Sequence, residues 1–486
     1  MKSVFPKLTL VYLFTYLALT LLTLSRIIIP WVDEVMNVEP GFNLYSTGSL
    51  FSNLFPFEGA NKKFLAYLPV TPLVHYLGFL IFPKTVFWVR FPIFLLFAVS
   101  IWMWFRLLKD EFKLEGAVFF LFILLFIQDE SILRQLRGTR VEITEVFLLL
   151  AAFFIGLKCK KSVFSAIPLG LMLVTHPKVW FLAPIGLFFM VLKDKSMGHR
   201  LLGTLFFILP ILIWLAFADF NIEAIKTQLF AHGEEHVAQG NLIFGHFVER
   251  FLPNYLAQPW MFVMHIAALV FASFQIIKKP LEKSTMYAWM LMSTSIFWFI
   301  KLAPFVRYNP VLVVLILLVL LVEFKTHQEW ILAKFKSFLG LVMVAFWMFL
   351  LITPFLYRNT IAFSQWKERD PAIMLELLDK EINPKEKTLI LDGEIGFYAA
   401  MNNPNLDFRL LYTLNTTPFS DYDNVYLLTT REEYFTLFDG VEADFKMKYE
   451  AQFPERKGIP SAGNFKGYKL FEVKNDQVYQ KLRRGN

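Results

Sequence analysis

The sequence predicts a polytopic all-α transmembrane domain of about eleven helices, followed by a small extracytoplasmic α/β domain at the C-terminus. Three observations lead there. Of the 486 residues, 56% are hydrophobic and only 18% are charged, against about a quarter in soluble proteins. Long apolar runs lie almost entirely before residue 358, and most polar sequence lies after it. Lys and Arg gather in short clusters that fall in alternate connections between the apolar runs, the signature of membrane orientation.

The expected spans are 8–30, 85–105, 114–128, 141–157, 162–176, 177–192, 201–218, 259–277, 285–301, 309–323 and 337–357. Several of these are near the short end of what crosses a bilayer. Pro177 either separates two spans within 162–192 or kinks one long broken helix. The first run is too long for a signal-peptide core and has no small-residue cleavage pattern, so it reads as a retained span. The clusters Lys2/Lys7, Arg106/Lys109/Lys113, Lys158/Lys160/Lys161, Lys193/Lys195/Arg200, Lys278/Lys279/Lys283 and Lys325/Lys334/Lys336 mark the cytoplasmic side. With an odd number of spans, the N-terminus is then cytoplasmic. The long loops 31–84 and 219–258, the shorter loop 129–140 and everything after 357 fall on the opposite face.

Within the first loop, residues 64–82 are apolar but broken by Pro69 and Pro72, which suits an interfacial or re-entrant helix. Segment 219–258 mixes Phe220, Phe230, Phe244 and Phe247 with His232, Glu234, Glu235, His236 and Arg250, a composition suited to a surface segment or to a movable cover over a site. The domain division is 1–357 for the membrane part, 358–385 for a linker with a short helix near 371–382, and 386–486 for the soluble part. Strands are expected at 388–391, 408–411, 425–428 and around 465–473, with a helix starting near Thr430.

The formal charge of +8 is too dispersed for a nucleic-acid footprint, so no nucleic-acid partner is expected. Cys159 is the only cysteine, which rules out an internal disulfide. His232-Gly233-Glu234-Glu235-His236 has Gly where a zinc-protease helix needs Glu. The sequence specifies no cofactor and no metal ligand, and leaves a divalent metal open.

The chemistry-bearing residues collect on the outer face. Asp33 and Glu34 directly follow the first span. Asp129, Glu130, Arg134, Arg137, Arg140 and Glu142 precede the fourth, where Arg134 and Arg137 share a helical face. Lys62, Lys63, His176, Lys178, Lys301 and Arg307 add cations, and Arg90 lies near the outer end of the second span. A sugar linked through phosphate to a membrane lipid would use such a division of labour. A carboxylate accepts the proton of an incoming hydroxyl, and cations stabilise the departing phosphate. A phosphate leaves as a stable anion, so the second carboxylic acid of a glycosidase is unnecessary. The same residues also admit plainer roles, as solvated boundary groups, headgroup anchors or helix–helix ion pairs.

In order and topology these features resemble the GT-C superfamily of integral-membrane glycosyltransferases, especially the bacterial branch of protein mannosyltransferases and aminoarabinose transferases. Three motifs carry the resemblance: Trp31-Val32-Asp33-Glu34, with Pro69-Val70-Thr71-Pro72-Leu73 and Val89-Arg90-Phe91-Pro92 following; Asp129-Glu130-Ser131 leading to Thr139-Arg140-Val141-Glu142; and Phe305-Val306-Arg307-Tyr308 before a late span. The resemblance implies that Asp33 is the catalytic base. It implies that Glu34, Asp129, Glu130, Arg140 and Glu142 bind or organise substrate, and that Arg307, with Arg90, Lys62 and Lys63, contacts the lipid phosphate. It further implies a bacterial inner-membrane location, a polyprenyl-phosphate-linked sugar donor and a cell-envelope glycolipid, glycan or protein acceptor. Two other readings stand beside inverting sugar transfer: a lipid-linked sugar or polysaccharide transporter, and a noncatalytic envelope-assembly protein.

Overall fold

The computed structural model describes residues 4–27, 30, 32–54, 63–65, 68–159, 161–193, 195–228, 259–301, 310–329, 338–367, 369–391, 394–409, 421–429, 445–452 and 467–473. The membrane part is helical throughout: α1 (Val4–Leu22), α2 (Val32–Thr47), α3 (Val70–Ile81), α4 (Val86–Arg106), α5 (Gly116–Ile127), α6 (Glu130–Arg137), α7 (Val141–Phe153), α8 (Ala166–Leu173), α9 (Leu182–Leu187), α10 (Met197–Phe217), α11 (Pro259–Lys278), α12 (Met286–Lys301), α13 (Pro310–Thr326) and α14 (Phe338–Ser364). Among the described residues four helices are long and apolar enough to cross a membrane: Val86–Glu111, Met197–Phe217, Trp260–Lys278 and Ala345–Ser364. The pair α5 and α6, bent by 49° at their junction, makes a fifth if it is one span.

Burial separates interior helices from lipid-facing ones. α13 is apolar on every side and buried from Val311 to Val319, as a helix surrounded by other helices must be. α10 instead leaves Leu201, Leu205, Leu209, Leu212 and Ile213 exposed, and α11 leaves Val263, Ile266, Val270 and Phe274. Apolar stripes of that length are stable only against hydrocarbon. The 162–192 region forms two helical stretches, Ala166–Leu173 and Leu182–Leu187, that lie side by side. Gly186, near the end of α9, lies against Leu169, near the start of α8, so the chain turns back at Pro177. α8 meets α10 at Gly170, where a Cβ would come within 2.3 Å of the Phe207 carbonyl oxygen; only glycine permits that approach.

α14 runs on to Ser364, past the expected end at 357. Within this extension Arg358 turns inside the protein: its Nη2 sits 2.5 Å from Glu130 Oε2. Its neighbour Asn359 accepts from Thr23 Oγ1 at 3.0 Å.

The soluble part begins with α15 (Pro371–Glu381), started by an Asp370 cap, and contains α16 (Glu394–Ala400). Among the described residues five strands, β1 (Thr388–Leu391), β2 (Leu406–Arg409), β3 (Asn424–Thr429), β4 (Phe445–Gln452) and β5 (Gly467–Val473), form one mixed sheet in the order β2-β1-β3-β5-β4. β1 pairs in parallel with β2 and β3, whereas β5 pairs antiparallel with β3 and β4. β1 is buried on both faces, as a parallel central strand should be. All four expected strands appear, the second beginning two residues earlier at Leu406; β4 and α16 are additional, and the helix expected near Thr430 lies outside the described residues. This domain shares one apolar core with the membrane part: Val35, Val38, Phe79, Val86 and Val89 pack with Ile390, Ile395, Tyr398 and Phe408.

Candidate functional site

α2 starts with two acids in its first turn, Asp33 and Glu34, where the unpaired amides of a helix N-terminus favour negative charge. Successive helical positions diverge by about 100°, so these neighbours face different partners. Asp33 turns to Arg140 and forms an ion pair with it, its side chain still 20% exposed. Glu34 turns inward, is fully buried, and takes a side-on grip from Arg90, with Nε to Oε1 at 2.9 Å and Nη2 to Oε2 at 2.6 Å. Arg90 Nη1 also donates to the Leu24 carbonyl at 2.9 Å, which ties α4 to the segment leaving α1. From the soluble domain, the Tyr398 hydroxyl donates to Glu34 Oε1 at 2.5 Å, 364 residues away in sequence.

Arg140 is the N-cap of α7 and lies between two carboxylates. Besides Asp33 it donates to Glu142, Nε to Oε2 at 3.2 Å and Nη2 to Oε1 at 3.3 Å. Glu142 is buried and accepts from Lys178 Nζ at 2.7 Å, and Lys178 lies 3.3 Å from Glu145. Acidic and basic side chains alternate along this chain from Asp33 to Glu145. The two cations, Arg140 and Lys178, each lie between two carboxyl groups, which offsets the cost of burying their charge.

Asp129 and Glu130 hold different positions. Asp129 is buried and caps α6, its Oδ1 accepting from Ser131 N at 2.9 Å and Ile132 N at 3.2 Å. Glu130 faces Arg358. Lys63 reaches the end of α10, donating to Asp219 at 2.5 Å and to the Phe217 carbonyl at 2.8 Å. Lys62 and Arg307, like the 229–258 part of the expected cover and its His232 and His236, lie outside the described residues.

Sequence reading therefore named Asp33, Glu34, Arg90, Arg140 and Glu142, and the structure brings them together. It missed Glu145, Arg358 and Tyr398, and listed Lys178 only as a loop cation. Glu145 had a signal: Glu142 and Glu145 are one helical turn apart in an otherwise apolar segment, where ionisable groups need a partner. Tyr398 had none, because nothing local distinguishes it from other aromatic residues of the soluble domain. Among the described residues no three His, Cys, Asp or Glu side chains come together so as to hold a metal ion.

Two crystal structures of ArnT from Cupriavidus metallidurans, one bound to undecaprenyl phosphate and one in the apo state, are similar to this chain. Each has a TM-score of 0.57 at 12% sequence identity, covering 96% and 95% of this chain and 97% of the ArnT chain. No family model and no curated protein matches the sequence. At that identity the likeness is one of fold alone: a polytopic, mostly helical domain followed by a small C-terminal β-sheet region.

Proposed function

We propose that this chain is an inverting glycosyltransferase that moves a sugar from a polyprenyl-phosphate-linked donor to a cell-envelope glycolipid, glycan or protein at the outer face of a bacterial inner membrane. The observation that carries the reading is the Asp33 carboxylate. It is the exposed end of an otherwise buried charge chain, fixed at the first turn of α2 and steered by Arg140. The alternating basic connections support its outward orientation, with the N-terminus cytoplasmic and the soluble domain extracytoplasmic. One of the similar ArnT structures holds undecaprenyl phosphate, a carrier of the class proposed here.

In the proposed reaction Asp33 accepts the proton of the acceptor hydroxyl. That oxygen bonds to the anomeric carbon of the donor sugar while the bond from the same carbon to the lipid phosphate breaks. The electron pair leaves on the phosphate, so attack and departure on opposite faces invert the centre. Arg140, with Arg307, stabilises the phosphate charge. Glu34 and Arg90 hold α2 in register, and Glu142 and Lys178 hold Arg140. Glu130 and Lys63 sit at the margins, and Asp129 sets the direction of α6.

The test is transfer from a panel of radiolabelled polyprenyl-phosphate sugars to envelope acceptors by purified protein. Removal of a general base costs about 10²–10⁴-fold, so Asp33→Asn should lose turnover on that scale while retaining donor binding. Unchanged turnover in Asp33→Asn removes Asp33 as base. Movement of intact lipid across the bilayer with no bond transferred would replace the enzyme by a transporter.

A further inference from the structure

The cations around the site share one property, and Arg137 departs from it. Arg90 faces Glu34, Arg140 faces Asp33 and Glu142, Lys178 faces Glu142 and Glu145, and Arg358 faces Glu130. Arg137, in the last turn of α6, is 1% exposed, and among the described residues its Nε and Nη2 have no hydrogen-bond partner. Its charged neighbours are Arg358, Glu130 and Arg90. The one carboxylate among them already serves Arg358, so a positive charge is left over in a buried place. A protein tolerates that arrangement at a cost in stability, and an incoming anion removes the cost.

Geometry identifies the kind of anion. Nε–H and Nη2–H lie along one edge of the guanidinium plane and point the same way. Arg90 grips Glu34 and Arg140 grips Glu142 by this same edge. On Arg137 the edge is unspent, and it matches an anion offering two oxygens about as far apart as those of a carboxylate or phosphate. The neighbouring Glu130–Arg358 pair has side chains 25% and 10% exposed, and an oxyanion held by Arg137 also meets the charge of Arg358.

We propose that Arg137, flanked by Arg358 and Arg90, is a binding site for a phosphate oxyanion held side-on by Nε and Nη2. That the phosphate belongs to a lipid carrier rests on the transfer reading above; the site itself does not. The shared chemistry admits a polyprenyl phosphate, a phospholipid headgroup or free phosphate.

The experiment is thermal unfolding of the purified full-length protein in an uncharged detergent. It is titrated separately with polyprenyl phosphate, the uncharged polyprenol, phosphatidylglycerol and inorganic phosphate. Wild type should be stabilised by polyprenyl phosphate and not by polyprenol. Arg137→Met should unfold at or above the wild-type midpoint without ligand, because it sheds an unbalanced charge, and should lose the ligand-induced rise. Arg137→Lys keeps the charge but not the two-donor edge; its apparent affinity should fall about tenfold or more, the loss of one charged hydrogen bond. If Arg137→Met fails to fold, Arg137→Lys decides, and a full ligand response in either variant overturns the proposal. A ligand-free Arg137→Met that folds but is clearly less stable than wild type would also overturn it, making Arg137 structural. Equal responses to inorganic phosphate or to phosphatidylglycerol keep the site and reassign the source. Because no turnover is read, an inactive Asp33-centred site and an empty Arg137 site are separate results.

Discussion

Replacing Arg90 by Met should be among the most destabilising single changes in this protein, and replacing Glu34 along with it should be milder. Both side chains are fully buried and their ion pair is closed by contacts of 2.9 and 2.6 Å. Arg90→Met leaves the Glu34 carboxylate in the interior with the Tyr398 hydroxyl at 2.5 Å as its remaining donor from this set. Breaking a buried pair from one side costs about 3–5 kcal/mol, because the survivor's charge is uncompensated. Glu34→Gln leaves the opposite charge stranded and should cost about as much. In the double variant no charge is left behind. A Gln at position 34 still accepts from Tyr398, and the chief loss is the donor to the Leu24 carbonyl, worth about 1–3 kcal/mol. The double variant should therefore be more stable than either single one. The assay is unfolding of the purified protein in mixed micelles of increasing denaturing detergent, followed by tryptophan fluorescence. Destabilisation of the double variant equal to the sum of the singles would refute the reasoning, since it would mean that the two groups do not depend on each other.

Further outcomes follow from the neighbouring groups. Asp129→Ala removes the cap of α6 and should cost about 1–2 kcal/mol, with Asp129→Asn restoring most of it; equal stability of wild type and Asp129→Ala would show that the two capped amides find other partners. Glu39, buried in α2, accepts from Asn43 Nδ2 at 2.9 Å, from Asn53 N at 2.7 Å and from Ser52, yet burial outweighs these donors and raises its carboxyl above the ordinary value. A carboxyl raised by folding contributes stability that is fully present below its unfolded value and is lost as pH rises through the folded value. The midpoint of the wild type should therefore drop, relative to Glu39→Gln, as pH increases above the ordinary carboxylate range. Parallel pH profiles of the two proteins would refute the assignment.

The parts of the site were unevenly readable from the chain. Arg140 and Glu142 are two residues apart, so their pairing could be expected from proximity alone, and it occurs. Asp129 looked like a substrate ligand in the same stretch, although an acid placed just before Ser131 and Ile132 also fits a helix cap, which is the role it occupies. Arg90 could be read from the sequence as a lipid-phosphate contact, a headgroup anchor or a helix–helix ion pair. The structure engages it with Glu34 and the Leu24 carbonyl, a choice set by how α4 packs beside α2.

By itself the sequence determined that this chain lives in a membrane and carries a strand-rich domain after it. Those properties follow from the free energy of moving apolar side chains out of water and from local periodicity, both of which act on contiguous residues. Only the tertiary structure decided which charges meet. Arg90 with Glu34, Lys178 with Glu142, Arg358 with Glu130 and Tyr398 with Glu34 are far apart in sequence and are joined by helix packing. Among the described residues the same packing left two guanidinium nitrogens of Arg137 without a hydrogen-bond partner. A charge reads the same in sequence whether solvated, paired or stranded, because its energy depends on partners and burial that the fold supplies.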